Sequence, residues 1–450
     1  MKTKKIILFG AGNRLGEILD DIAADVEVLA VADNDCLKWG EKKFGIEVIS
    51  PDRIKEYAFE YIFIIPYSFN TIRKQLREIG IANEKIIDET HMEFVCTKQP
   101  ISHYIVKQTV DRNAILFTHA LTSSGAQNVL FTLAKELDEI GYQVTVISPK
   151  DGPLRSRMNE CGINVVILRD IYVHINEIKD FIRDAAFVLI NTLWLHYIVD
   201  AIYKYKEGII WWIHESIDIE YIDEQIFGKL QKSNGKIMAV SELIRDEIIE
   251  KINIDINVDV FRFCIPKYNI RKVHNEKIKF VMIAAMDYIK GQDVFINAVN
   301  LLPPKVRQRA DFSLVGGGRR SQILLESAEL SGVEIQDEVP PEEICKIYAD
   351  NNVVVCASRK EAMSVTIAEA WMNGLISIVS DAAGISRYVT DYKDGLVFES
   401  DNPKALSNKI LWIINNYDSA LNIAEQSRLL YDKYFSLKVF RKKIMEICEG

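Results

Sequence analysis

The sequence predicts an α/β protein built on parallel sheets and divided into three successive domains. Short β-branched runs alternate with longer amphipathic stretches along the chain, the pattern of strand and crossover helix. At 450 residues the chain is too long for one core, and its length suggests about three domains. The alternation also separates into three series, at roughly 1–100, 112–268 and 277–430.

In the first series, strands are expected at 5–9, 27–32 and 61–65, with helices at 14–24 and 69–79. The stretch 97–111 holds Pro100, lacks periodicity and reads as a linker. In the second, strands are expected at 115–117, 144–147, 164–168, 187–190, 209–213 and 236–240, with a helix over 125–140. Ser241 is an expected N-cap, because Glu242 and Asp246 early in the next helix suit its dipole. In the third, strands at 279–283, 312–315, 353–355 and 376–379 each pair with a helix, and a last helix covers 437–447.

Composition narrows the function classes. Hydrophobic residues make up 48% and charged residues 26%, enough to bury cores of this size without covalent staples. The net charge of −9 argues against nucleic acid as a partner, since a phosphate backbone needs a basic footprint. Seven scattered cysteines form no CxxC pair and no Cys/His cluster, so neither a disulfide frame nor a zinc site is indicated. The apolar run Ile6–Phe9 is too short for a signal segment, and no later run has the length of a membrane span. The expected location is therefore cytoplasmic.

The densest chemistry lies at Ser358-Arg359-Lys360-Glu361-Ala362-Met363-Ser364-Val365-Thr366-Ile367-Ala368-Glu369. Here Glu361 falls on a loop after a strand, and Glu369 about two turns into the following helix. Such carboxylates accept hydrogen bonds from sugar and ribose hydroxyls, while amides at a helix N-terminus face an anionic diphosphate. A lone Glu-x7-Glu is common on any solvated helix face, so its neighbours decide. Upstream lies Lys290-Gly291-Gln292-Asp293, and between the two segments Gly316-Gly317-Gly318. Downstream come Gly374, Ser380-Asp381-Ala382-Ala383-Gly384-Ile385 and Asp394-Gly395.

With these elements in this order, the sequence from about 112 to the C-terminus resembles retaining glycosyltransferase family four. The resemblance implies a GT-B fold, two facing Rossmann-like domains at 112–270 and 271–450, with the last helix crossing back to the first. The first of these carries Ser123-Ser124-Gly125-Ala126-Gln127 where the family has a glycine-rich loop that closes on donor phosphates. Trp211-Trp212-Ile213-His214 matches the family's strand-end histidine; His119 and His196 lie near other strand ends and rank behind it.

By resemblance, His214, Lys290 and Glu361 are the catalytic candidates. Lys290 would neutralise the diphosphate leaving group, Glu361 would hold sugar hydroxyls and Glu369 the ribose. Gly125 and the amides of Ala362, Met363, Ser364 and Val365 would contact the donor. The implied reaction moves a hexose, UDP-linked by default, from a nucleoside diphosphate to a glycan or lipid-linked acceptor with retention, in bacterial surface-polysaccharide synthesis. No metal is required for it, because the lysine and amides supply the charge stabilisation. A lipid-linked acceptor would bring peripheral contact with the inner membrane face. The family's usual arginine five residues before the lysine is Ala285, and its usual acidic residue after Gly384-Ile385 is Arg387. Ala285 keeps open a non-catalytic nucleotide-sugar- or glycan-binding subunit.

The front series, 1–100, carries Gly10-Ala11-Gly12-Asn13-Arg14-Leu15-Gly16 between strand and helix, with Asp33 ending the second strand. This resembles the dinucleotide fingerprint of a Rossmann-like domain, with one residue too many in its last gap. Gly10, Gly12, Gly16 and Asp33 would then hold NAD or another nucleotide. A structural or protein-contact role with an empty cleft stands beside that reading.

Overall fold

The computed structural model describes residues 3–66, 69–88, 101–107, 112–122, 124–169, 171–216, 224–252, 254–268, 270–273, 276–318, 322–340 and 343–449. Its contacts divide the chain into two compact units. One holds Met1–Trp212, Ile217–Ile237 and Ile249–Asn257; the other holds Ile213–Ser216, Met238–Ile248 and Val258–Gly450.

Three sheets follow one another along the chain. The first contains β1 (Lys4–Phe9), β2 (Val26–Ala32), β3 (Lys42–Lys43), β4 (Ile46–Ile49), β5 (Tyr61–Ile64) and β6 (Ile86–Ile87), in the order β3-β4-β2-β1-β5-β6. Ile6, Ile7 and Leu8 of β1 have no exposed surface, because helices cover both faces of this central strand. The short β3, β4 and β6 were not foreseen; strands this brief carry little periodicity of their own.

The second sheet contains β7 (Ser102–Tyr104), β8 (Asn113–Phe117), β9 (Gln143–Ser148), β10 (Asn164–Ile167), β11 (Phe187–Asn191), β12 (Ile210–Ile213), β13 (Lys236–Ala239) and β14 (Val258–Val260), in the order β14-β13-β12-β11-β8-β9-β10-β7. The expected linker at 97–111 is corrected in part. Ser102–Tyr104 pairs antiparallel with β10 along an edge, a register that only the partner strand specifies. Residues 97–100 and 108–111 lie outside those described. In the first unit, Lys150 pairs with Glu17 at 2.9 Å and Arg169 with Asp21 at 3.0 Å, joining the front segment to the second sheet through mostly exposed groups.

The third sheet contains β15 (Ile278–Ile283), β16 (Ala310–Val315), β17 (Val333–Gln336), β18 (Val353–Cys356), β19 (Ile376–Ser380) and β20 (Leu396–Phe398), in the order β17-β16-β15-β18-β19-β20. Among the described residues, all its ladders are parallel. Phe280, Leu314, Val353 and Ile378 fill its core with Phe295, Leu406 and Ile410 from the covering helices. The last helix, Leu437–Glu449, falls in the second unit, where Phe440 stacks on Phe261 at 5.2 Å. Ser241 caps the helix Glu242–Lys251 as expected, its Oγ accepting from the Ile244 amide at 3.3 Å. Among the described residues, no helix is long and apolar enough to cross a membrane.

Candidate active site

In open parallel sheets the ligand crevice opens where neighbouring strands send their connections in opposite directions. In the third sheet that point lies between β15 and β18. The chain leaving β15 reaches a 3-10 turn, Tyr288–Lys290, which Asp287 caps by accepting from the Ile289 amide at 2.8 Å. Gly291 follows at φ +76°, and a Cβ there would lie 2.1 Å from the Ala357 carbonyl oxygen. Glycine therefore lets this turn press against the segment leaving β18.

The consequence is a contact between residues 71 apart. Lys290 Nζ lies 2.5 Å from Glu361 Oε2, with the two side chains 30% and 18% exposed. Burial works against the ammonium's charge, but the Glu361 carboxylate outweighs it and holds Lys290 above the ordinary lysine range. Lys290 thus remains a cation at neutral pH.

The loop carrying Glu361 is gripped through its carbonyls. The Gly384 amide donates to the Glu361 carbonyl at 2.9 Å, and Ser241 Oγ donates to the Ala362 carbonyl at 2.8 Å. A Cβ on Gly384 would stand 2.1 Å from the Ala362 oxygen, so only glycine fits. Ser364 then caps the helix Val365–Met372, its Oγ accepting from the Ile367 amide at 3.4 Å. Met363 and Ser364 are buried, whereas Ala362 and Val365 are partly exposed.

Glu369 lies within that helix and bonds a different side chain. Its Oε2 accepts from the buried Tyr348 hydroxyl at 2.5 Å. Burial pushes the Glu369 carboxyl up to about 7, against the downward pull of that hydrogen bond. Ala285 leaves no side-chain charge at its position; its carbonyl accepts from Gln292 Nε2 at 2.8 Å. Gly316 packs on the adjacent Ala284, where a Cβ would meet the carbonyl oxygen at 1.9 Å.

Sequence reasoning missed Arg359. Its guanidinium bonds Asp293 and Asp401 at 2.7 Å and lies 4.0 Å from the centre of the Tyr288 ring. Its amide also donates to the Ile289 carbonyl at 2.7 Å, so it ties together the two segments that bring Lys290 to Glu361. Its partners lie dozens of residues away, and no spacing rule could have found them.

In the first unit the corresponding point lies between β8 and β11. Gly125 opens the helix Gly125–Glu139 there. His119 follows β8 and lies 2.8 Å, through Nε2, from the Gln127 amide nitrogen and 3.2 Å, through Nδ1, from Thr192 Oγ1. Burial, and then Lys150, lower its pKa below the ordinary histidine value. Ser123 lies outside the described residues. His214 follows β12, partly buried, and groups by contacts with the second unit; its amide donates to Glu215 Oε2 at 3.2 Å.

The front sheet turns between β1 and β5. The ribose-holding candidate, Asp33, accepts from the amides of Ala11 at 2.6 Å and Asp35 at 2.8 Å and pairs with Lys38 at 3.3 Å. Gly10, at φ +115°, makes room for Pro66: a Cβ would lie 2.6 Å from that ring. A Cβ on Gly16 would lie 3.0 Å from the Phe44 ring, and one on Gly12 would meet open space. Two of the three fingerprint glycines accommodate the domain's own side chains.

Comparison with known proteins places these features. Residues 267–430 match the family model described as glycosyl transferases group 1. Residues 110–243 match glycosyl-transferase family 4, and residues 2–87 match the C2185-like N-terminal domain. The HepE protein of Anabaena, solved with UDP and glucose, superposes with a TM-score of 0.63 at 14% identity, over 76% of this chain and 100% of that one. A glycosyltransferase from Rickettsia africae gives 0.62 at 18% identity, over 76% and 98%.

The fold is therefore GT-B, two Rossmann-like sheets preceded by a smaller third. Over residues 110–243 and 267–430 the chain is similar to family-four and group 1 glycosyltransferases. Among its relatives, the Campylobacter jejuni N,N'-diacetylbacillosaminyl-diphospho-undecaprenol α-1,3-N-acetylgalactosaminyltransferase is 28% identical over 156 residues, 34% of this chain. That alignment spans 40% of the relative's length. An uncharacterized Haemophilus influenzae glycosyltransferase is 20% identical over 350 residues, 71% of this chain and 95% of its own.

Proposed function

We propose that the chain moves a hexose from a nucleoside-diphosphate sugar, UDP-linked by default, to a glycan or lipid-linked glycan acceptor in bacterial surface-polysaccharide synthesis. The observation that carries this reading is the Lys290–Glu361 pair at the crevice of the third sheet, beside the capped helix Val365–Met372. A departing nucleoside diphosphate develops charge that Lys290 and the amides of Ala362 to Val365 can meet without a metal. Glu361, whose second oxygen is not committed to Lys290, accepts from sugar hydroxyls, and Glu369 from the ribose. These carboxylates are binding groups, and retention requires attack from the leaving-group face. Gly125 and His214 enter this site by family resemblance alone.

The domains assigned to the reaction are 112–270 and 271–450, with the last helix crossing back, behind a front domain at 1–100. The undecaprenol-linked substrate named for the Campylobacter relative supports a lipid-linked acceptor and work at the inner membrane face. Ala285, lacking the family's usual second cation, favours one alternative: a non-catalytic regulatory subunit that binds nucleotide sugar or glycan without turnover.

Nucleotide release from UDP-, GDP-, dTDP- and ADP-sugars without added metal tests the proposal. Release from one donor, abolished by both Glu361→Ala and Lys290→Ala, is the expected result. Saturable donor binding with no release, even with lipid-linked glycans present, would favour the subunit reading. No binding of any donor would refute the transferase, and no binding of glycan either would refute both.

A further inference from the structure

Arg387 stands where the sequence departs from the pattern of the family it resembles, Tyr388 follows it, and the donor reading leaves both without a role. Tyr388 ends the 3-10 turn Gly384–Tyr388, and its hydroxyl is the hub of a three-residue cluster. It accepts from Arg262 Nε at 2.8 Å and donates to Glu242 Oε2, while Arg262 Nη2 donates to Glu242 Oε1. The Glu242 and Arg262 side chains are only 22% and 25% exposed. The Tyr388 ring stacks on Tyr434 at 4.6 Å, and the Arg262 guanidinium lies 5.2 Å from its centre. Alongside, Arg387 pairs with Asp246 at 2.5 Å, a second tie between the same turn and the helix Glu242–Lys251.

Both ends of this cluster lie on segments that hold the loop carrying Glu361. Glu242 adjoins Ser241, whose hydroxyl holds the Ala362 carbonyl; Tyr388 closes the turn whose first residue, Gly384, holds the Glu361 carbonyl. Ala383 forms a bridge with Glu361 as well. The loop is thus fastened on two sides by segments that are joined to each other through the three charged and hydroxyl groups. Fixing two successive carbonyls fixes the peptide planes on either side, and so the directions of the amides that follow.

We propose that Tyr388, Glu242 and Arg262 form a clamp that positions the Glu361–Val365 loop for transfer from the donor. This rests on the donor reading above. The three residues are positioning groups: they set the loop's geometry through its carbonyls and touch no substrate themselves. A clamp of this kind acts on the transition state more than on donor affinity, because small displacements of preorganised donors cost rate.

The test uses the full-length chain with Tyr388→Phe, which keeps the ring stack and removes the hub hydroxyl, and with Arg262→Lys, which keeps the charge and loses the fork. Hydrogen exchange at 361–365 and nucleotide release are measured together. Tyr388→Phe is expected to speed exchange at 361–365 and to lower kcat about tenfold while donor KM moves less than threefold. Arg262→Lys should fall between it and the parent. Unchanged exchange would overturn the clamp, and faster exchange with unchanged kcat would overturn its part in catalysis. If the parent protein neither releases nor binds nucleotide, the donor reading fails, while the exchange data still decide whether the clamp holds the loop.

Discussion

Replacing Lys290 by alanine separates two effects that the geometry joins. Without the ammonium, the Glu361 carboxylate is left 18% exposed with its cation gone. Fully exposed pairs contribute about 0–1 kcal/mol, whereas removing one partner of a fully buried pair costs about 3–5 kcal/mol. With 30% and 18% exposure this pair lies between, at about 1–2 kcal/mol. For a unit of roughly 200 residues that is a fall of about 2–8 °C in the unit's melting temperature. Loss of the charge that meets the leaving group should lower nucleotide release by about 10²–10³-fold.

Adding Glu361→Gln to Lys290→Ala removes the stranded charge. It should recover about 1 kcal/mol of stability and none of the turnover. Thermal melts and nucleotide release on the parent, both single variants and the double variant close the cycle. Stability losses that simply add to within about 0.5 kcal/mol would refute the coupling. Turnover that survives Lys290→Ala to within a few fold would refute the lysine's role.

Three further outcomes are expected. The Glu369 carboxyl is raised from 4.5 to about 7, so the folded state holds its proton more tightly than the unfolded chain does. Its contribution is fully present below about 4.5 and is lost as pH rises through about 7, on the order of 3 kcal/mol. Glu369→Gln should therefore melt at increasingly higher temperature than the parent between pH 5 and 8, and a constant difference would contradict the burial. Gly384→Ala forces a Cβ to within 2.1 Å of the Ala362 oxygen, so it should cost about 1–3 kcal/mol and weaken nucleotide binding; an unchanged melt would show that the loop is not gripped there. Finally, NAD at millimolar concentration should leave the melting temperature unchanged, because Asp33 is already engaged by Ala11, Asp35 and Lys38. A concentration-dependent rise would refute that assignment.

The sequence by itself determined the longer elements and the candidate loop. β-branched runs such as Phe280–Ile283 and Val353–Val355 announce buried parallel strands, because both faces are covered and periodicity is replaced by continuity. The order of lysine, triple glycine and two glutamates located the loop at Glu361 and the helix after it, since those features are local. Only the tertiary structure decided which distant groups meet. Lys290 reaches Glu361 across 71 residues, and Tyr388 reaches Arg262 across 126 and Glu242 across 146. Asp33 fits a local fingerprint yet turns toward Ala11 and Lys38. The reason is physical: propensity and spacing act over a few turns of chain, whereas a side chain's partner is set by strand order and packing.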